Sequence, residues 1–312
     1  MPHPAFPPDP ADLDRGPRWR RKVIDVPGIE FEPRPPLSAE DFRPDSECDG
    51  WSAGRVAVRS ASVRGDRHRY YKQPRQDSVC SAFHDSAGAV IFAVADGVSN
   101  AEASEIGSTD ACRAAAGALA NQLESGPGAL DFAQVARYVS GTLRRRAQTM
   151  LNAGSLPGPA DAGKLLATTL VAGAAWPDRD GVSVRLFRVG DSSAWVLNTE
   201  QGQYRHLFPS PAGDEEVLVS NEVTALPGVP ETLEQQSLLV VPGQVLLVGT
   251  DGFGLPLGDG DGAVGALFAR HLVSPGSPLW LGHVLDFSRE TFDDDRTLLA
   301  LWPLPPDGTG TV

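Results

Sequence analysis

From Arg55 to Val63, the stretch "RVAVRSASV" sets apolar residues at alternate positions, which is the two-residue period of a strand. "DSVCSAF" and "AVIFAVA" are two further apolar stretches, joined by the turn residues "HDSAG". Together they predict a hairpin. The period then changes. Ala111, Ala115, Leu119 and Leu123 recur every four residues, as do Val135, Val139 and Leu143. That spacing predicts two amphipathic helices, separated by the breaker "ESGPG". "LATTLVAGAAW", "GVSVRLFRVG", "SAWVLNT" and "QVLLVGT" read as four more strands. Helical stretches follow near Ala263 to His271 and Leu279 to Arg289, and "RTLLALW" closes the pattern as a last strand. Strands in runs and helices in pairs, without strict β-α alternation or an internal repeat, indicate an α+β fold of antiparallel sheets covered by helices.

This pattern assigns residues 51–303 to one folded domain, with a short tail at 304–312. Residues 1–50 precede it as a Pro-rich extended tail. Eleven of the 27 prolines fall in the first 44 residues, and such a segment lacks the apolar periodicity that builds a core. Within the tail, "RGPRWRRK" (Arg15 to Lys22) gathers five cations around Trp19. It reads as a solvated counterweight to an acidic domain, or as a docking motif for an acidic partner. "VIDVPGIEF", just after it, is a candidate extra edge strand.

Composition narrows the function. Hydrophobic residues make up 41% and charged residues 21% of the 312, ordinary values for a globular protein long enough to bury a sizeable core. No apolar run approaches the ~18 residues of a membrane span, and "MPHPAFPPDP" lacks the order of a signal peptide. Membrane insertion is not expected. The formal net charge of −13 argues against nucleic acid as a partner, because a phosphate backbone is repelled. It suits a chain that offers carboxylates to cations. Cys48, Cys80 and Cys112 are odd in number and form no C-x-x-C. Neither a disulfide scaffold nor a zinc ribbon is indicated, and a reducing cytoplasm is the expected location.

The carboxylates carry the chemistry. "AVIFAVADG" ends in Asp96-Gly97, "VLLVGTDG" in Asp251-Gly252, and "VRLFRVGD" in Asp191. Asp77 precedes "SVCSAF", and Asp293, Asp294 and Asp295 precede "RTLLALW". In an antiparallel sheet the end of one strand lies beside the start of its neighbour, so these carboxylates can gather at one edge. Ionised together they repel unless cations sit between them. Oxygen-only ligands select Mg²⁺ or Mn²⁺ over zinc. Two such ions can activate a water for in-line attack on phosphorus.

The ordered series "RQDS", "FAVADGVSN", "ATTLVAG", "RVGDSSAWVL", "LLVGTDGFG", "DDDRTLLAL" resembles the metal-dependent protein phosphatases, the type 2C serine/threonine class, over roughly Val56 to Trp302. "SVRGDRHRYYKQPRQDS" is similar to a bacterial branch with Gly-x-x-His ahead of the first acidic motif. The resemblance implies a four-layer α/β/β/α sandwich of two antiparallel β-sheets flanked by helix pairs. It implies hydrolysis of phosphoserine or phosphothreonine on a protein, in signalling against an opposing kinase, by a monomer with two Mn²⁺ or Mg²⁺ ions. Asp96 would bridge the ions, with the Gly97 carbonyl completing one coordination sphere. Asp251 and Asp294 would bind the second ion, and Asp77 would hold metal-bound waters. Gln76 and Asp191 would order the site from behind the ligands. Thr168 and Thr169 match a hydroxyl pair in a buried strand.

Some positions depart from the family pattern. Val98 stands where some members carry a histidine that protonates the leaving group. The family's phosphate-binding arginine falls near Lys72, which makes Lys72 the expected catalytic cation, with Arg69, Arg75 and His68 as alternative phosphate contacts. Asp295 stands where asparagine is common. A third ion would have Asp161 as its candidate ligand. Tyr204 to Glu231 reads as a variable flap over the site. These departures keep a second function in view, an inactive pseudophosphatase that serves as a regulatory binding module.

Overall fold

The computed structural model describes residues 21–29, 31, 34, 43–208 and 224–305. In its central strands, alternate side chains point to opposite faces and both faces are buried. Strand β4 (Ala89–Ala95) shows why this makes layers. Ala89, Ile91, Ala93 and Ala95 pack on helices, in one cluster with Ala111, Leu119, Val135 and Leu143. Val90, Phe92 and Val94 pack the other way, against Val58, Val248 and Leu299 of a second sheet. A two-residue period inside a fully apolar run thus places one strand between two hydrophobic cores.

The first sheet contains β1 (Ser46–Ala53), β2 (Val56–Val63), β7 (Ser193–Asn198), β8 (Gln203–His206), β10 (Gln244–Gly249) and β11 (Arg296–Pro303), in the order β1-β2-β11-β10-β7-β8. The second contains β3 (Ser78–His84), β4, β5 (Leu170–Pro177), β6 (Val182–Val189) and β9 (Glu234–Val240), in the order β3-β4-β5-β6-β9. Every pairing is antiparallel. Helices α2 (Ser104–Leu123) and α3 (Phe132–Met150) cover the second sheet. Short α5 (Asp251–Leu257), α6 (Ala263–His271) and α7 (Pro278–Leu285) cover the first. The expected four-layer α+β sandwich is the architecture observed. Two short helices, α1 (Asp66–Tyr71) and α4 (Pro159–Leu166), lie on the connections at one end of the sandwich. Among the described residues, no helix is long and apolar enough to cross a membrane.

The start of the chain is used differently from a free tail. β1 begins at Ser46, inside the stretch read as tail, because its residues pair in register with β2 from Ser46–Val63 to Ala53–Val56. "VIDVPGIEF" docks as well, but not on a sheet edge. The Ile24 amide donates to the Ser288 carbonyl (3.0 Å), the Ser288 amide to Lys22 (2.7 Å) and the Glu290 amide to Val26 (2.8 Å). This strap lies along the connection between α7 and β11, and Ile24 is buried with the helices of that side. The same bonds explain why α7 stops at Leu285, short of the expected Arg289. Trp19 and the cations from Arg15 to Arg20 lie outside the described residues, as does the middle of the expected flap, residues 209–223.

Candidate functional site

Strand register builds the acidic edge. Ser78 pairs with Ala95, so Asp77, before β3, and Asp96, after β4, emerge side by side. On the facing sheet Gly249 pairs with Leu298, which brings Asp251, after β10, towards Asp294, before β11. The two sheets deliver the two pairs to the same end of the sandwich.

Each backbone there is fixed by short polar bonds. The Asp96 carbonyl accepts from the Thr169 amide (2.8 Å) and the Thr168 hydroxyl (2.7 Å), while the Asp96 amide donates to Thr169 Oγ1 (3.0 Å). The hydroxyl pair therefore anchors the turn at Asp96 from behind. Thr250 Oγ1 accepts from the Thr297 amide (3.1 Å) and donates to Asp77 Oδ2 (2.8 Å). Two glycines have no room for a side chain. A Cβ on Gly65 would strike the backbone of Asp293 and Asp294, and one on Gly252 would strike the Asp295 carbonyl. The 293–295 turn is thus held on both sides by close backbone approach.

The electrostatics separate two kinds of carboxylate. Asp77 is 1% exposed, and its Oδ1 has no hydrogen-bond partner. Burial first, and then the charges of Asp295 and Asp251, push its carboxyl well above the usual range. Burial and the neighbouring Asp77, Asp251 and Asp294 do the same to Asp96, and burial raises Asp251. Asp295 goes the other way. Burial opposes its charge, but contact with His68 and the amides of Gly65 and Gln76 outweigh that and hold it low.

An orphaned carboxylate oxygen beside two more carboxylates that resist ionisation is a donor set that fits hard divalent cations. By geometry, the group of three possible ligands found within 4.8 Å of one another among the described residues is His68, Asp294 and Asp295. Asp295 in that group already has its charge balanced by the protein. Gly97 is buried and lines the cavity beside Asp96.

The expected phosphate contacts are placed elsewhere. Lys72 ends α1 in the left-handed conformation (φ 61°) and lines neither of the two cavities at the acidic edge. Arg69 is buried between Asp45 (2.8 Å), Asp286 (3.1 Å) and Asp66 (3.4 Å). Arg75 is fully buried and paired with Glu47 (2.6 Å). His68 is 1% exposed and turned towards Asp295. Arg188 lines one cavity but is paired with Glu234 (2.9 Å), whereas Arg67, absent from the sequence expectations, lines neither cavity and reaches the edge through two residues of its wall. Its Nη2 lies 2.8 Å from Asp294 Oδ2 and 3.0 Å from Ser99 Oγ. Gln76 is buried, and its amide donates to Asp295. Asp191 is exposed and lines both cavities. Asp161 is exposed and pairs with Lys164 (2.9 Å), away from the cavity wall.

The cavities, of about 770 and 860 Å³, share Asp191, Thr224 and Asp251. They form one groove across the acidic edge. Val98, Ser99 and Asn100 line one arm, and Trp195, His206 and Leu255 the other.

Comparison with known proteins agrees with this geometry. A family model described as protein phosphatase 2C matches residues 64–281. A bacterial serine phosphatase structure superposes with a TM-score of 0.54 at 15% identity, over 80% of this chain and 99% of its own. PppA, a regulatory component of the type VI secretion system in Pseudomonas aeruginosa, gives 0.52 at 21% identity, over 80% and 98%. The catalytic domain of the serine/threonine phosphatase PstP, solved with two manganese ions, gives 0.51 at 19% identity, over 80% and 99%. No curated protein matches the chain in sequence at a significant level.

Proposed function

We propose that this chain, which belongs to the protein phosphatase 2C family, hydrolyses phosphoserine or phosphothreonine on a protein with Mn²⁺ or Mg²⁺ as cofactor. The observation that carries this reading is the set Asp77, Asp96 and Asp251. All three are held at one edge of the sandwich, and all three resist ionisation in the absence of a cation.

Asp96, Asp251, Asp294 and the Gly97 carbonyl would hold two cations, with Asp77 beside them. When bound, such ions neutralise the phosphoryl oxygens and lower the pKa of an attacking water. The chain's own residues supply the rest. Thr168 and Thr169 fix the Asp96 backbone, and Thr250 fixes one oxygen of Asp77 while the other keeps no hydrogen-bond partner. Arg67 takes the phosphate-anchoring role first expected of Lys72. It is partly exposed at the edge, and its guanidinium carries the bidentate fork that suits phosphate. With Val98 in place of a histidine, the leaving alkoxide takes its proton from water.

A groove that extends on both sides of the acidic edge favours a peptide over a small phosphorylated metabolite, because it leaves room for residues flanking the phosphoresidue. A serine/threonine kinase would supply that substrate. The test is phosphate release from a phosphopeptide and from p-nitrophenyl phosphate, each with Mn²⁺ and with EDTA. Turnover that needs Mn²⁺ supports the reading. If the folded protein binds Mn²⁺ but releases no phosphate from either substrate, it is a binding module instead.

A further inference from the structure

We propose that His68 and Asp295 form a positioning pair, which sets cation affinity by holding Asp77 and Asp294 in place. The proposal rests on the reading of those carboxylates as part of a divalent-cation site. His68 closes the Gly-x-x-His entry and Asp295 stands where asparagine is common in the family, and in the structure the two meet.

His68 Nδ1 lies 2.8 Å from Asp295 Oδ1 and His68 Nε2 3.9 Å from Asp294 Oδ1, both as ion-pair contacts without the alignment of a hydrogen bond. Asp295 is 2% exposed, and each of its oxygens also accepts from a backbone amide. Gly65 donates to Oδ1 (2.7 Å) and Gln76 to Oδ2 (2.6 Å). Gly65 precedes α1, Gln76 immediately precedes Asp77, and Asp295 immediately follows Asp294. One buried carboxylate therefore ties together three segments and touches the neighbours of two metal-binding candidates. The turn is reinforced by the Arg67 amide on the Asp293 carbonyl (2.9 Å) and the Asp295 amide on Asp294 Oδ1 (2.9 Å).

Phosphate contact by His68 does not fit this arrangement, since the ring is buried and lines neither cavity. A cation seated on His68, Asp294 and Asp295 fits poorly as well, because it would have to displace His68 or an amide from Asp295. Removing His68 leaves a buried carboxylate short of one of its three contacts, and the structure then relaxes around it. The segments that relax are those carrying Asp77 and Asp294. Partners behind metal ligands typically change metal affinity by about 10–100-fold.

The experiment measures Mn²⁺ affinity and stoichiometry of the full chain by calorimetry, with phosphopeptide kinetics at saturating Mn²⁺ alongside. His68→Leu is expected to weaken Mn²⁺ binding by about 10–100-fold and to leave KM at saturating Mn²⁺ nearly unchanged. His68→Asn, which keeps a donor near the Nδ1 position, is expected to recover most of the affinity. If His68→Leu does not fold, Asp295→Asn carries the same prediction. Affinity within about threefold of the unmodified chain overturns the proposal. So does a raised KM with unchanged Mn²⁺ binding, which makes His68 a substrate contact. Loss of one bound ion, with the others unaffected, makes His68 a ligand and also overturns it. If the unmodified chain binds no Mn²⁺, the cation-site reading fails and takes this proposal with it. If it binds Mn²⁺ and turns over normally while the variants behave like it, only the positioning pair fails.

Discussion

Asp295 and Asp77 are buried to almost the same degree, at 2% and 1% exposure, yet their carboxyls are displaced in opposite directions. Asp295 is met by His68 and two amides. Asp77 has a hydroxyl on one oxygen and nothing on the other. Burial costs a charge several kcal/mol unless a partner compensates it. At Asp295 the fold supplies the compensation itself. At Asp77, with Asp96 and Asp251 beside it, the fold leaves a deficit that a cation can fill. Depth alone does not mark the site; unbalanced depth does.

The strongest way to break this contrast is to remove one charge from the unbalanced side. Asp96→Asn is expected to lower Mn²⁺-dependent turnover by more than about 100-fold, the upper range for a mere outer partner. It should also raise the melting temperature of the chelated protein, because repulsion is relieved. Steady-state kinetics and a thermal melt in EDTA check the two halves.

A pH series sharpens the comparison next. In the metal-free fold Asp77, Asp96 and Asp251 hold protons more tightly than at the ordinary 3.8. Between that value and their raised ones, the folded state carries more protons than the unfolded state. Stability of the metal-free protein therefore falls as pH rises through this window. Asp295 acts oppositely: its contribution is present above 3.8 and is lost as pH falls through its lowered value. Melting in EDTA from about pH 5 to about pH 8 should show a declining midpoint. The gain on adding Mn²⁺ should widen over the same range. A constant gain would count against the carboxylates as the cation site.

A smaller effect is expected at the phosphate anchor. Arg67→Ala should raise KM for a phosphopeptide by about tenfold, equivalent to one charge-assisted hydrogen bond of about 1.5 kcal/mol. Lys72→Ala should leave KM unchanged. The reverse result would return the anchor to Lys72. The smallest effect is expected at the strap. Ile24→Ala removes part of a side chain buried at the rim, at a cost of about 1 kcal/mol, and should lower the melting temperature by about 2–4 °C. No change would show that the backbone bonds alone seat the strap.

The acidic strand ends were legible because an apolar run stopping on Asp-Gly marks both a strand and what it delivers. Asp96 and Asp251 stand at such ends, and Asp77 and Asp294 stand just before the strands that pair beside them. The cations were not legible, and α1 shows why. Successive residues of a helix point about 100° apart, so Arg67, His68 and Arg69 face three different surroundings. Arg67 reaches Asp294, His68 reaches Asp295, and Arg69 reaches Asp45 and Asp286. A six-residue helix is too short to show that period in sequence. Strand β9, "EQQSLLV", was missed because it is largely polar and lies at a sheet edge. The strap was expected on a sheet edge, and its actual partner was not legible because that partner is a connection 260 residues away in sequence, with Gly28 bonding to Ser288.

β2 pairs with β11 from Val63–Arg296 to Val56–Pro303, and the strap closes on residues 288–290. The beginning of the chain is thus completed by its end. During synthesis the first sheet lacks its central strand until Pro303 has left the ribosome, and Asp77 and Asp96 wait about two hundred residues for Asp294. Pairings so distant in sequence form slowly and late. A nascent chain would carry half an acidic edge and no groove, so a ribosome-bound or prematurely ended product should be devoid of activity rather than partly active.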